Sequence, residues 1–272
     1  MTIGRGGRIV LWVFGALVLA FVYVPLAIVA INSFNSDRTF GWPPPSFTTQ
    51  WWDLALHAQG PRDALWTSIK AGLGATAIAL VLGSLLGMAL TRFDFFGKRV
   101  INLLVILPIA LPGIVTGVAL QSVIQNLLQP VFGISAGLFT IIVGHATFCI
   151  VVVFNNVSAR LRRMGSSLES ASADLGARPM QTLRLVTFPL LRSSLVAGAL
   201  LAFGLSFDEI VVTTFTAGPG TPTLPIWIFD NLFRPNQAPV VNVVAVILVV
   251  NSILPVWAAQ RLGGEAAAES RL

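Results

Sequence analysis

Charge is what this chain has least of. Asp, Glu, Lys and Arg make up 10% of its 272 residues, where a soluble domain carries about 25%. Together with 55% apolar residues and a mean hydropathy of +0.83, that scarcity excludes a soluble protein and leaves a polytopic membrane protein. Cysteine is nearly absent too. Cys149 stands alone, so no intrachain disulfide can form, and its place in an apolar run marks a small packing residue. His57 and His145 are the only histidines, and they lie far apart with no Cys/His cluster, so no metal centre is expected. The G-x-x-x-x-G-K-[ST] phosphate loop is missing, which excludes ATP binding in that manner by this chain. No Ser/His/Asp set nominates a catalytic centre. The net charge of +6 does not point to nucleic acid, because the basic residues fall in loops between apolar runs.

What is there is a series of six apolar runs at residues 9–31, 65–90, 100–120, 134–157, 190–215 and 240–259. About 20 residues suffice to cross a bilayer, so each run is expected to be a transmembrane helix and the fold all-α. The first run follows Arg5 and Arg8 but is longer than a signal-peptide core, and it is expected to be retained. Residues 32–64 are polar and rich in Trp and Pro, as an interfacial segment is. The second run is rich in Gly and Ala, which let helices approach closely in lipid. Six spans place both termini on one side. The loops of the opposite side hold only Arg38, Arg62 and Arg234 of the 17 basic residues. The termini and the 158–189 segment are therefore expected to be cytoplasmic. The organisation reads as a cytoplasmic N-terminus (1–8), a first helix with its outer loop (9–64), a five-helix core (65–259) and a cytoplasmic tail (260–272).

The longest polar break runs from Glu169 to Pro189, ESASADLGARPMQTLRLVTFP. Leu168, Ala171 and Leu175 recur at helical spacing. Gly176 is a helix stop, Pro179 fits the first turn of a second helix, and Pro189 marks entry into the next apolar run. Two short helices and a turn between membrane spans suit docking into another protein; an ordinary solvated loop is the alternative.

Glu169-Ser170-Ala171-Ser172-Ala173-Asp174-Leu175-Gly176-Ala177, followed by Phe188-Pro189-Leu190, resembles the EAA motif of ABC-importer permeases. The resemblance implies a type I importer permease fold and a coupling helix seated on an ATP-binding subunit. Glu169, Ala171, Asp174, Gly176 and Ala177 would make that contact. Ser170 stands where alanine is usual, and Phe188 where leucine often precedes the proline. Asn32-Ser33-Phe34-Asn35, Phe47-Thr48-Thr49-Gln50-Trp51, His145-Ala146-Thr147-Phe148-Cys149, Ser206-Phe207-Asp208-Glu209-Ile210-Val211-Val212 and Pro239-Val240-Val241-Asn242 are similar to the spermidine/putrescine branch. In that branch a proline often follows the position of Cys149; Ile150-Val151 here implies a straighter fourth span.

Asp208 and Glu209 lie within the fifth run, with Asp208 about 10 Å from its outer end at 1.5 Å per residue. Carboxylates at that depth face a cavity or a partner, and neighbours on a helix point about 100° apart. In one reading, one of them lines the translocation path for a cation and the other pairs with a neighbouring helix. In the other, both are packing or interfacial groups. His145 is expected to be a buried neutral imidazole bonded to a neighbouring helix. Pro108 and Pro112 are expected to bend the third span. The 216–239 loop, with Pro219, Pro222, Pro225, Pro235 and Pro239, is expected to be a stiff outer surface, which the resemblance places near a docking solute-binding protein.

The leading expectation is a non-enzymatic permease subunit in the inner membrane, forming half of a translocation path. It would carry no cofactor of its own, ATP and magnesium being held by a dimeric partner ATPase. A second, related permease and an external solute-binding protein complete the implied partners. Polyamine-like cations are the expected solute; ferric iron, phosphonate or a similar small solute is the alternative. An ion-coupled secondary transporter relaying protons through Asp208 or Glu209, and a membrane scaffold, are the competing classes.

Overall fold

The structure, a computed structural model, describes residues 4–38, 42–234 and 237–269, and side chains within that range except at 254–256 and 258–269. Pro235 of the outer loop and Arg271 of the tail lie outside the described residues. Among the described residues the chain is helical, with one isolated antiparallel bridge between Asn35 and Phe47.

The helices in chain order are α1 Arg5–Asn32, α2 Gln50–His57, α3 Gln59–Arg92, α4 Lys98–Ala110, α5 Gly113–Val123, α6 Gln129–Phe132, α7 Leu138–Met164, α8 Ser167–Asp174, α9 Pro179–Thr182, α10 Phe188–Phe207, α11 Val211–Thr216, α12 Leu224–Leu232 and α13 Ala238–Glu269. Four are long and apolar enough to cross a membrane: α1, α3, α7 and the continuous run Pro179–Phe207. The third expected span is a bent pair, α4 with Gly113–Phe132, meeting at 104°. Pro112 sits at that corner as the cap of α5, and its missing N–H and ring leave the helix no way to continue straight. The expected bend is there. The connection expected at 121–133 is instead helix, running to Phe132. The sixth expected span falls on α13, whose apolar stretch is described from Ala238 to Ile253.

Residue contacts divide the chain into two compact units. The smaller comprises residues up to Arg62 together with Ile228–Val249. Within it, Phe34 stacks on Trp52 with ring centroids 5.3 Å apart, and Trp51 Nε1 donates to the Asn35 carbonyl at 2.7 Å. These contacts fold the segment after α1 back on itself. Nearly every apolar side chain of α1 is exposed, as only a helix facing lipid or another chain can afford.

The larger unit, Asp63–Trp227 with the residues from Val250 onward, holds the core. Its centre is α7, with Cys149, Val153, Val157 and Leu161 packed against Ala75, Ala79, Leu191 and Ala202. Cys149 is buried, its thiol directed at the Ala202 carbonyl at 3.3 Å. The small residues of α3 serve close approach: a Cβ on Gly83 would stand 2.8 Å from the Ile150 carbonyl oxygen and 2.9 Å from Val153 Cβ. With no aqueous phase to drive association, such backbone-to-backbone contact is what joins helices in lipid.

Two π-helical turns interrupt the helices, at Ile124–Leu128 and Leu183–Thr187. Each lies just before a proline, Pro130 and Pro189. A proline cannot bond the carbonyl four residues back and its ring crowds that oxygen; one looser turn relieves both problems without ending the helix. Pro189 stands at the head of the apolar run, and the second short helix of the polar break runs unbroken through it into α10.

Candidate functional site

The Glu169–Pro189 stretch forms two short helices with a turn. α8 ends in a Schellman arrangement: Ala177 N–H donates to the Ser172 carbonyl at 3.1 Å and Gly176 N–H to the Ala173 carbonyl at 2.9 Å. Gly176 takes φ +82° there, a conformation that costs other L-residues energy. Pro179 opens α9 at its first turn, and Arg178 N–H donates to Gln181 Oε1 at 2.8 Å. Ser172 Oγ and Thr182 Oγ1 meet at 3.0 Å, tying the two arms together.

Glu169 anchors the hairpin. One carboxylate oxygen accepts from Thr187 Oγ1 at 3.0 Å. The other forms an ion pair with Arg92 Nε at 2.7 Å, although the N–H is not aligned on it. The Arg92 guanidinium also donates to the Gly165 carbonyl at 2.6 Å. Arg92 closes α3, so the last turn of a membrane helix holds both the entrance to the hairpin and its first acidic residue. Nothing in the sequence pattern pairs residues so distant; the basic charge at the end of an apolar run was the only signal.

Around these anchors the hairpin presents apolar side chains outward. Leu175 is 89% exposed and Met180 71%, with Leu168 and Leu185 also open. Of the sequence-nominated residues, Glu169 is turned inward to Arg92, while Asp174, Gly176 and Ala177 lie at the turn beside Leu175; Ala171 is on α8 and exposed.

The second candidate region is the break between α10 and α11. The fifth expected span is not one helix: α10 ends at Phe207 and α11 begins at Val211. Asp208 caps α10, its N–H donating to the Gly204 carbonyl at 3.3 Å, and is exposed, its carboxylate with no hydrogen bond or ion pair among the described residues. Glu209 turns the other way. Its Oε1 accepts from Val212 N–H at 2.8 Å, and its Oε2 from Thr213 N–H and Thr213 Oγ1, both at 2.9 Å. It thus satisfies the open first turn of α11, where a negative charge is stabilised. The two carboxylates diverge because the helix ends between them, not through the 100° step of a continuous helix.

His145, fully buried on α7, bridges the two sides of the break. Nε2 lies 2.8 Å from Thr213 Oγ1 and 3.5 Å from Glu209 Oε2, and Nδ1 lies 2.7 Å from Ser206 Oγ. Since the Thr213 hydroxyl gives its hydrogen to Glu209, a neutral ring satisfies the set with its proton on Nε2 and Nδ1 accepting from Ser206. The ring is bonded to a neighbouring helix, as expected. Sequence reasoning missed Ser206 and Thr213, whose part depends on the helix break.

A family model described as "Binding-protein-dependent transport system inner membrane component" matches residues 79–262. The spermidine/putrescine transport system permease protein PotC of Escherichia coli strain K12 is 33% identical over 254 residues, 93% of this chain and 94% of that protein. The putrescine transport system permease protein PotI of the same strain is 31% identical over 247 residues, 89% of this chain and 85% of that protein. Among solved structures, a bacterial ABC transporter involved in the import of the acidic polysaccharide alginate has a chain that superposes with a TM-score of 0.71 at 17% identity, covering 96% of this chain and 99% of that one. A chain of the MetNI methionine ABC transporter, in an inward-facing conformation, gives 0.61 at 22% identity over 81% of this chain and 99% of that one. The fold is that of an ABC importer permease, and the chain belongs to the family of binding-protein-dependent transport system inner membrane components, a membrane transport subunit and not an enzyme.

Proposed function

We propose that this chain is one of two permease subunits of an ATP-driven importer for polyamine-class cations, and that the Glu169–Pro189 hairpin is the part that receives force from a separate ATPase. The observation that carries the coupling role is the pairing of rigidity with exposure. A hairpin fixed by a Schellman turn and by the Arg92–Glu169–Thr187 contacts nonetheless leaves Leu175 89% exposed. An ordinary solvated loop has no reason to hold large apolar groups rigidly in water. A partner groove covering Leu168, Leu175 and Met180 does. Motion of that partner would pass through Glu169 to Arg92 at the end of α3, and through the unbroken Pro179–Phe207 helix toward the break at Asp208. ATP and magnesium belong to the ATPase, and the solute would be delivered by an external binding protein.

The polyamine assignment rests on the similarity to PotC and PotI over most of this chain. Asp208 agrees with it: an exposed carboxylate at a break in a membrane helix is placed to meet a cation. Glu209, occupied with α11 and His145, is the structural member of the pair.

Uptake of radiolabelled putrescine and spermidine into vesicles holding this chain with its candidate ATPase, second permease and binding protein tests the reading. Uptake is expected to need ATP, to fail with Gly176→Pro together with loss of ATPase association, and to resist competition by 2-aminoethylphosphonate. Uptake driven by a proton gradient without the ATPase would sink the importer assignment. Competition by the phosphonate with no polyamine flux would sink the solute assignment alone.

A further inference from the structure

One feature of the larger unit plays no part in coupling or in the broken span. Between the end of α3 and the end of α7 lies a cavity of about 390 Å³ lined by Leu90, Asp94, Lys98, Arg99, Asn102 and Arg162. Lys98 and Arg99 open α4 after Gly97, while Arg162 is in the last turn of α7. Lys98 Nζ donates to Asp94 Oδ1 at 2.7 Å. This ammonium holds the Asp94 carboxyl below its ordinary range, so the pair is ionised at neutral pH and cancels. Arg99 and Arg162 remain, exposed and with no carboxylate partner among the described residues. Positive charge at the start of α4 is also unfavourable with respect to the helix dipole, and the first turn contains no acidic residue to relieve it. A cavity of this make-up wants an anion, and paired guanidinium forks match phosphate oxygens.

The surroundings say what kind of anion. Phe93, Phe95 and Phe96, in the α3–α4 loop, are exposed, Phe96 completely. On α4, which leads away from the cavity, Val100, Leu103 and Leu104 are exposed as well. A phosphate at the cavity mouth would have apolar surface beside it along a membrane helix, which is the shape of a phospholipid with its chains in the bilayer. A zwitterionic lipid would bring a cation of its own into a pocket with excess positive charge.

We propose that this cavity binds the headgroup of an anionic phospholipid, with Arg99 and Arg162 as the phosphate contacts and the exposed side chains of α4 against the acyl chains. Basic pockets between membrane helices recognise such headgroups by the same charge logic.

Native mass spectrometry of the full chain in detergent tests this, with phosphatidylglycerol and phosphatidylcholine of identical acyl chains added in turn. The wild type is expected to retain phosphatidylglycerol in preference. Arg99→Gln and Arg162→Gln should each weaken that preference about fivefold, and the double variant should abolish it. Arg163→Gln serves as the control, since Arg163 shares the exposed end of α7 but does not line the cavity; it should bind as the wild type does. Equal retention of the two lipids by the wild type, or unchanged preference in the double variant, would overturn the proposal. So would displacement of the lipid by an equal concentration of glycerol 3-phosphate, which would make the cavity a site for soluble phosphate. Loss of ATPase association in the double variant, with lipid preference intact, would make it a protein contact instead.

Discussion

Glu169 and Glu209 are both partly buried carboxylates next to short helices, yet they hold different things. Glu169 joins chain segments far apart in sequence through Arg92 and Thr187. Glu209 is spent locally on the N–H groups of α11, with His145 as its long-range neighbour. Arg92→Gln removes the charge that Glu169 faces, in a place where both side chains are only 17% and 20% exposed. The hairpin should then be built but poorly held. We expect ATP-driven uptake to fall roughly tenfold, within the usual range of a coupling energy, while the ATPase still co-purifies; full uptake with Arg92→Gln would mean that the ion pair transmits nothing. Glu209→Ala should instead act on stability, costing about 1–2 kcal/mol as the loss of a capping acceptor does. A lowered midpoint in thermal unfolding checks it. Asp208→Asn is the complement: unchanged stability, with polyamine uptake reduced at least about tenfold if one charge–charge contact in the path is lost. The nomination of these two carboxylates was legible from the sequence, because charge is rare in an apolar run. Their divergence was not, since nothing in Ser206-Phe207-Asp208-Glu209-Ile210 signals a helix end: it contains neither glycine nor proline.

At the level of elements, the signals that worked were those with a local mechanism. Gly176 and Pro179 locate a turn because left-handed backbone and a missing N–H are properties of single residues. Pro112 locates the 104° corner for the same reason. Pro130 and Pro189 end no helix, because a π-helical turn absorbs a proline that would otherwise do so, and whether it forms depends on packing that pattern cannot show. The apolar run of residues 190–215 was long enough for one span, yet the chain divides it at Asp208; hydropathy measures length in lipid and is blind to hydrogen bonds such as those from His145. Two glycine substitutions separate backbone conformation from packing. Gly176→Ala puts a Cβ at φ +82° in open space, so it should cost about 1 kcal/mol through backbone strain alone and be visible as faster proteolysis of the hairpin. Gly83→Ala leaves the backbone alone but pushes a methyl group against the Ile150 carbonyl and Val153. It should destabilise the core by about 1–3 kcal/mol, the cost of overpacking, and lower the unfolding midpoint without altering proteolysis at the hairpin. If both substitutions acted on the hairpin alike, core and hairpin would not be independent.

For the whole molecule, the outstanding question is which way the chain sits in the bilayer. Charge gives the expectation: basic residues crowd the loops that hold Arg92, Lys98, Arg99, Arg160, Arg162, Arg163, Arg178 and Arg184, and a basic bias of this kind predicts a cytoplasmic side. The hairpin and the cavity at Arg99 and Arg162 are therefore expected on that side, and the Pro-rich turn at Pro219 on the other. The chain lends itself to a direct check because Cys149 is its single cysteine and is buried, giving little background to a membrane-impermeant thiol reagent. Leu175→Cys, at the exposed tip of the hairpin, should label in inside-out vesicles and stay dark in right-side-out ones. Pro219→Cys, also exposed, should do the reverse. Labelling of both from one side would mean an odd number of crossings between residues 175 and 219 is absent, so that the Pro179–Phe207 helix does not traverse the membrane. A hairpin fixed to one end of that helix would then have no route by which to move groups on the far side. Labelling as expected, joined to loss of the Leu175→Cys signal when the ATPase is added, would place the docking surface, the crossing helix and the carboxylate at its break in one mechanical line.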